Sequence, residues 1–123
     1  MLKGRKVLVV EDEAVTALDV GDAVEAAGGT VVGPTPSTRG ALKLLNEAPD
    51  AVDAAAIDFS LADGEATPLV EALMHAGIPT VIYTGGPIPD DLADRFPQLA
   101  VVRKPNEASI VTGQLAAALA QRA

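Results

Sequence analysis

The sequence contains no cysteine, no tryptophan, one histidine, one tyrosine and two phenylalanines among its 123 residues. The absence of cysteine excludes disulfides, thiolate zinc sites and cysteine nucleophiles. A single histidine, His75, excludes a metal site made of several histidines and disfavours a Ser-His-Asp triad. Aromatic residues at 2% of the chain also argue against base stacking on single-stranded nucleic acid.

Positive charge is scarce as well. Nine basic residues face 17 acidic ones, a net charge of −8, so we expect no nucleic-acid partner. The apolar run after the basic N-terminus, Val7–Val10, stops at Glu11 and is too short for a signal peptide. No run approaches the length of a membrane span, and we therefore expect a soluble, cytoplasmic protein with no membrane partner.

Hydrophobic residues make up 49% of the chain, which is enough for an aliphatic core in one domain spanning residues 1–123. Five short apolar runs alternate with segments of helical spacing. The runs predict five strands: Lys6–Val10, Thr30–Gly33 (closed by Pro34), Ala54–Asp58, Thr80–Thr84 and Ala100–Arg103.

Apolar residues at helical spacing separate these strands. The first stripe comprises Ala14, Ala17, Leu18, Gly21 and Val24, and the second helix has Ser37 or Thr38 as its expected N-cap. Prolines shorten the fourth helix to about Asp90–Phe96. Regular alternation predicts an α/β fold: a doubly wound, five-stranded parallel sheet of flavodoxin-like type, strand order 2-1-3-4-5, with helices on both faces.

Polar side chains follow four of the five predicted strands. The first strand is followed by Glu11-Asp12-Glu13, and the third, fourth and fifth end in Asp58, Thr84 and Lys104. Since the carboxyl ends of parallel strands meet at one edge of the sheet, these groups should lie together. Clustered carboxylates suit a hard cation such as Mg²⁺, lysine and threonine can hold an anion, and aspartate can accept a phosphoryl group.

Each of these residues alone also has an ordinary structural interpretation. An acidic pair before a helix usually caps it, and an aspartate or threonine after a strand usually belongs to a turn. Their joint placement at the ends of four strands favours a shared functional site over these separate structural roles.

Taken together, these residues resemble a two-component response regulator receiver domain across essentially the whole chain. The resemblance lies in Val7–Glu13, in Ile57–Leu61 with Gly64 after it, in Thr84-Gly85 and in Lys104-Pro105. It implies that Glu11, Asp12, Asp58 and the backbone carbonyl of Ser60 hold Mg²⁺. It further implies that Asp58 accepts the phosphoryl group, whose oxygens Thr84 and Lys104 contact.

A narrower likeness links the chain to alphaproteobacterial single-domain receivers that work with HWE-type histidine kinases. Only Pro79, Thr84 and Gly85 match the motif of that subgroup. Val101 stands where most receivers carry a switching aromatic.

The resemblance implies as partners a sensor histidine kinase or a histidine phosphotransfer protein, which would dock on Val15, Pro105 and Asn106, and possible downstream proteins reached by contact or phosphoryl relay. It implies an acceptor that dephosphorylates itself rather than a classical enzyme. Two alternatives remain open. A flavodoxin-type FMN or small-ligand binder would have to bind phosphate beside Glu11-Asp12-Glu13, and an inert pseudo-receiver would only dock partners.

Overall fold

The computed structural model describes residues 1–122. Seven strands form: β1 (Lys6–Val10), β2 (Thr30–Thr35), β3 (Ala54–Ile57), β4 (Ser60–Leu61), β5 (Gly64–Glu65), β6 (Thr80–Thr84) and β7 (Ala100–Arg103). The helices are α1 (Ala14–Ala26), α2 (Thr38–Glu47), α3 (Thr67–His75), α4 (Asp90–Arg95) and α5 (Ala108–Arg122). Among the described residues, no helix is long and apolar enough to cross a membrane.

Five of the strands make one parallel sheet in the order β2-β1-β3-β6-β7. This is the predicted 2-1-3-4-5 order of the flavodoxin-like fold, and the shortened fourth helix is present as α4. β3, the strand that precedes Asp58, is the central strand.

The strand periodicity divides the core into two layers. On one face Leu8, Val10 and their neighbours pack against α2, α3 and α4. On the other face the alternate residues, such as Val7 and Val9, pack against α1 and α5. Successive side chains of a strand point to opposite faces, so the unbroken apolar runs are buried on both sides.

Three local predictions were wrong. β2 continues through Pro34 to Thr35 instead of stopping at Gly33. It is an edge strand, where a residue without a backbone N–H can be accommodated. β3 ends at Ile57, one residue earlier than predicted. The third error concerns the buried stripe of α1.

In α1 the buried residues are Ala17, Val20 and Val24, whereas Leu18 is 62% exposed. The buried stripe therefore runs i, i+3, i+7 from Ala17. The predicted stripe was right at Ala17 and Val24, but it included the exposed Ala14 and Leu18 and omitted Val20. Val15, at the start of the same helix, is 73% exposed.

Candidate phosphoryl-acceptor site

The polar residues after the strands are held by an extension of the sheet's backbone hydrogen bonding. The Glu11 amide donates to the Thr35 carbonyl at 3.0 Å, and the Asp58 amide donates to the Val10 carbonyl at 2.9 Å. The Lys104 amide likewise donates to the Thr84 carbonyl at 3.0 Å. These three residues are thus fixed at the carboxyl edge of the sheet.

Three carboxylates meet at this edge. One oxygen each from Glu11, Asp12 and Asp58 lies within 4.8 Å of the others. Glu11 and Asp58 are buried, and Asp12 is exposed. Burial, opposed by hydrogen bonds from Lys104 and from the Glu13 amide, raises the pKa of Glu11 from 4.5 to about 7. Carboxylates packed this closely repel one another unless a cation offsets their charge, and their oxygens are ligands that suit Mg²⁺.

The Lys104 ammonium reaches into the same cluster. Its Nζ donates to Glu11 Oε1 at 2.9 Å, to Asp58 Oδ2 at 3.0 Å and to Glu13 Oε1 at 2.9 Å. Burial acts to lower the pKa of Lys104, but these hydrogen bonds outweigh it, and the pKa is raised. A positive charge therefore stays on Nζ beside Asp58.

Thr84 and Ser60 lie beside this centre. Thr84 is 1% exposed, and its Oγ1 accepts a hydrogen bond of 3.4 Å from the Gly86 amide. Within the described chain, no hydrogen bond joins the Thr84 side chain to Asp58 or Lys104. The Ser60 amide donates to Asp58 Oδ1 at 3.3 Å, and the role of its carbonyl as a metal ligand stays a prediction.

Sequence reasoning missed two features of the site. The first is the contact between Glu13 and Lys104, because an exposed acid before a helix looks like an ordinary helix-start charge. The second is the small β4–β5 hairpin directly after Asp58. Asp63 in its turn accepts the amides of Thr38 and Arg39 at 2.9 and 3.0 Å, which ties the hairpin to the start of α2.

Tyr83, the single tyrosine of the chain, faces the α1 and α5 side of the sheet. Its side chain packs into that layer of the core. Its hydroxyl donates a hydrogen bond to the Asn106 carbonyl. Lys104 Nζ lies 5.7 Å from the centre of its ring.

No family model matches the chain, and no curated protein matches it. Among solved structures, the chain is similar to the BeF3-activated conformation of SdrG from Pseudomonas melonis Fr1, with 37% identity over 97% of this chain and 99% of that one and a TM-score of 0.71. A response regulator receiver protein from Sinorhizobium medicae WSM419 matches over 100% of both chains with 19% identity and a TM-score of 0.86.

The response regulator PhyR from Brucella abortus is 27% identical over 96% of this chain, with a TM-score of 0.78, and this chain spans 49% of its length. The chain belongs to the response regulator receiver family. The narrower likeness to receivers of HWE-type kinases stays a prediction.

Proposed function

We propose that this protein is a phosphoacceptor of a two-component system and that Asp58 carries the phosphoryl group. The donor is a phosphohistidine of a sensor histidine kinase or of a histidine phosphotransfer protein. One observation carries the proposal: a buried aspartate at the end of the central strand lies within hydrogen-bond distance of a lysine ammonium and beside two further carboxylates.

A divalent ion fits the site. Glu11, Asp12 and Asp58 present oxygen atoms close together, and in this structure the Lys104 ammonium offsets part of their negative charge. These side chains and the Ser60 carbonyl would hold Mg²⁺. When bound, the ion would offset the charge of the incoming phosphoryl group.

The chain's own residues account for the transfer. An Asp58 carboxylate oxygen attacks the phosphorus atom, a P–O bond forms, and the P–N bond breaks with its electron pair going to the donor imidazole. Lys104 and Thr84 receive the phosphoryl oxygens. The product is an acyl phosphate, which water hydrolyses back to the carboxylate, so the protein is an acceptor rather than a classical enzyme. Its signal passes on by protein contact or by phosphoryl relay.

The test is incubation with acetyl phosphate and Mg²⁺ followed by intact mass measurement. The wild-type protein should gain one phosphoryl group, and the gain should vanish in EDTA and in Asp58→Ala. Asp22→Ala, which removes an exposed aspartate of α1, should label like wild type. Unchanged labelling of Asp58→Ala would refute the assignment. A wild-type protein that never labels would favour the inert docking module.

A further inference from the structure

All three N–H donors of Lys104 are engaged in the resting structure. They point to three different carboxylates, those of Glu11, Glu13 and Asp58, at 2.9–3.0 Å. A lysine ammonium has three donors and no more. For Lys104 to bind a phosphoryl oxygen, it must give up one of these hydrogen bonds.

Glu13 differs from the other two partners. Its side chain is 65% exposed, whereas those of Glu11 and Asp58 are 3% and 8% exposed. Glu13 also lies outside the group of carboxylates that could share a metal ion. Water can solvate a released Glu13 carboxylate readily. Glu11 and Asp58 are buried, and losing Lys104 before a cation or the phosphoryl group arrives would leave their charges unpaired in the protein.

We propose that Glu13 is a positioning residue that holds Lys104 in the resting site and competes with the incoming phosphoryl group for its ammonium. This inference rests on the proposed phosphoacceptor function. Glu13 slows phosphorylation because its hydrogen bond to Lys104 must break before Lys104 can bind the new phosphoryl oxygens. An exposed ion pair is weak, so weakening this one should raise the labelling rate by about 2- to 5-fold.

Two substitutions separate the contact from the charge. Glu13→Asp keeps the charge but shortens the side chain by one methylene, which withdraws the carboxylate from Lys104. Glu13→Gln keeps the reach but leaves a weaker, uncharged acceptor. If Glu13 competes through its hydrogen bond, both variants label faster with acetyl phosphate. The matched controls are Glu25→Asp and Glu25→Gln at an exposed position of α1, and both should label at the wild-type rate.

A second comparison tests whether the effect passes through Lys104. A Lys104→Met variant should label more slowly than wild type. In that background neither Glu13 substitution should change the labelling rate, because the hydrogen bond between Glu13 and Lys104 is already absent. A purely structural role of Glu13 would act in both backgrounds.

Three results would overturn the inference. Faster labelling of Glu13→Gln but not of Glu13→Asp would mean that the negative charge of Glu13, and not its hydrogen bond to Lys104, slows phosphorylation. Slower labelling would mean that Glu13 prepares Lys104 for transfer. An unchanged rate in both variants would mean that the contact has no part in transfer. All three presuppose a wild-type protein that labels at Asp58, so they are distinct from a failure of the proposed function, which would show as unaltered labelling of Asp58→Ala.

Discussion

Replacing Glu11 by glutamine should raise the free energy of unfolding of the metal-free protein near neutral pH. The Glu11 side chain is 3% exposed. Burial, partly offset by hydrogen bonds from Lys104 and from the Glu13 amide and reinforced by the Asp58 charge, raises its pKa from 4.5 to about 7. Asp12, the remaining charged neighbour in the cluster, is exposed. The folded protein therefore binds a proton at Glu11 more tightly than the unfolded chain does.

The size of the effect follows from this pKa. Each tenfold change in a protonation equilibrium corresponds to about 1.4 kcal/mol, so ionised Glu11 opposes folding by about 3 kcal/mol at most. Glutamine imitates the protonated side chain, but where Glu11 accepts hydrogen bonds on both oxygens, from Lys104 and from the Glu13 amide, glutamine has a single acceptor oxygen and loses one of the two. We expect a gain of about 1–3 kcal/mol at pH 7, which for a domain of this size is roughly 3–10 °C in Tm.

Thermal unfolding in EDTA over a pH series tests this prediction. Below pH 4.5 the carboxyl is protonated in both states and the difference between variant and wild type should be small. Between pH 4.5 and about 7 the wild type should lose stability relative to Glu11→Gln, and above that range the difference should be constant. Glu25→Gln, which removes one exposed negative charge from α1, is the control for the change in net charge. A gain that does not vary with pH, or a less stable Glu11→Gln at pH 7, would refute the reasoning.

Two further predictions concern the surfaces beside the site. Asp63→Ala should lower Tm at pH 7. Hydrogen bonds from the Arg39 and Thr38 amides hold the pKa of Asp63 below 3.8, so the Asp63 carboxylate stabilises the folded protein. The difference in Tm between wild type and Asp63→Ala should therefore fade as the pH drops below 3.8 and the carboxylate is protonated. Val15→Asp should bury an unpaired charge in a kinase complex and weaken association by about 2–5 kcal/mol. Phosphotransfer from the cognate kinase should slow by about 30-fold or more, while labelling by acetyl phosphate stays at the wild-type rate. An equal loss of labelling with both donors would mean a damaged fold. Wild-type labelling with both donors would show that Val15 is not part of the interface.

The sheet and its polar edge were predictable from the sequence. Five apolar runs separated by helical segments are a local signal, and parallel strands must then place their carboxyl ends together. The gathering of Glu11, Asp58 and Lys104 follows from that rule without any knowledge of side-chain conformations. Ser37, one of the two expected N-caps of α2, was also readable, and its Oγ accepts the Gly40 amide at 3.0 Å.

Finer details depended on packing. The buried stripe of α1 could not be assigned from spacing alone, since Leu18 and Val20 are both apolar and lie on different sides of the helix. The structure buries Val20 at 3% exposure and leaves Leu18 at 62%. Because α1 packs against α5 as well as against β1 and β2, its rotation about its own axis depends on a helix that is distant in sequence.

What the sequence by itself determined is the class of fold, the strand order and the set of groups at one edge of the sheet, because these follow from periodicity and from the geometry of parallel strands. Only the tertiary structure decided how the groups share their charges. Lys104 and Glu13 are 91 residues apart, and nothing local to either predicts their hydrogen bond. The raised pKa of Glu11 likewise depends on burial by the folded chain, since desolvation exists only once other residues exclude water.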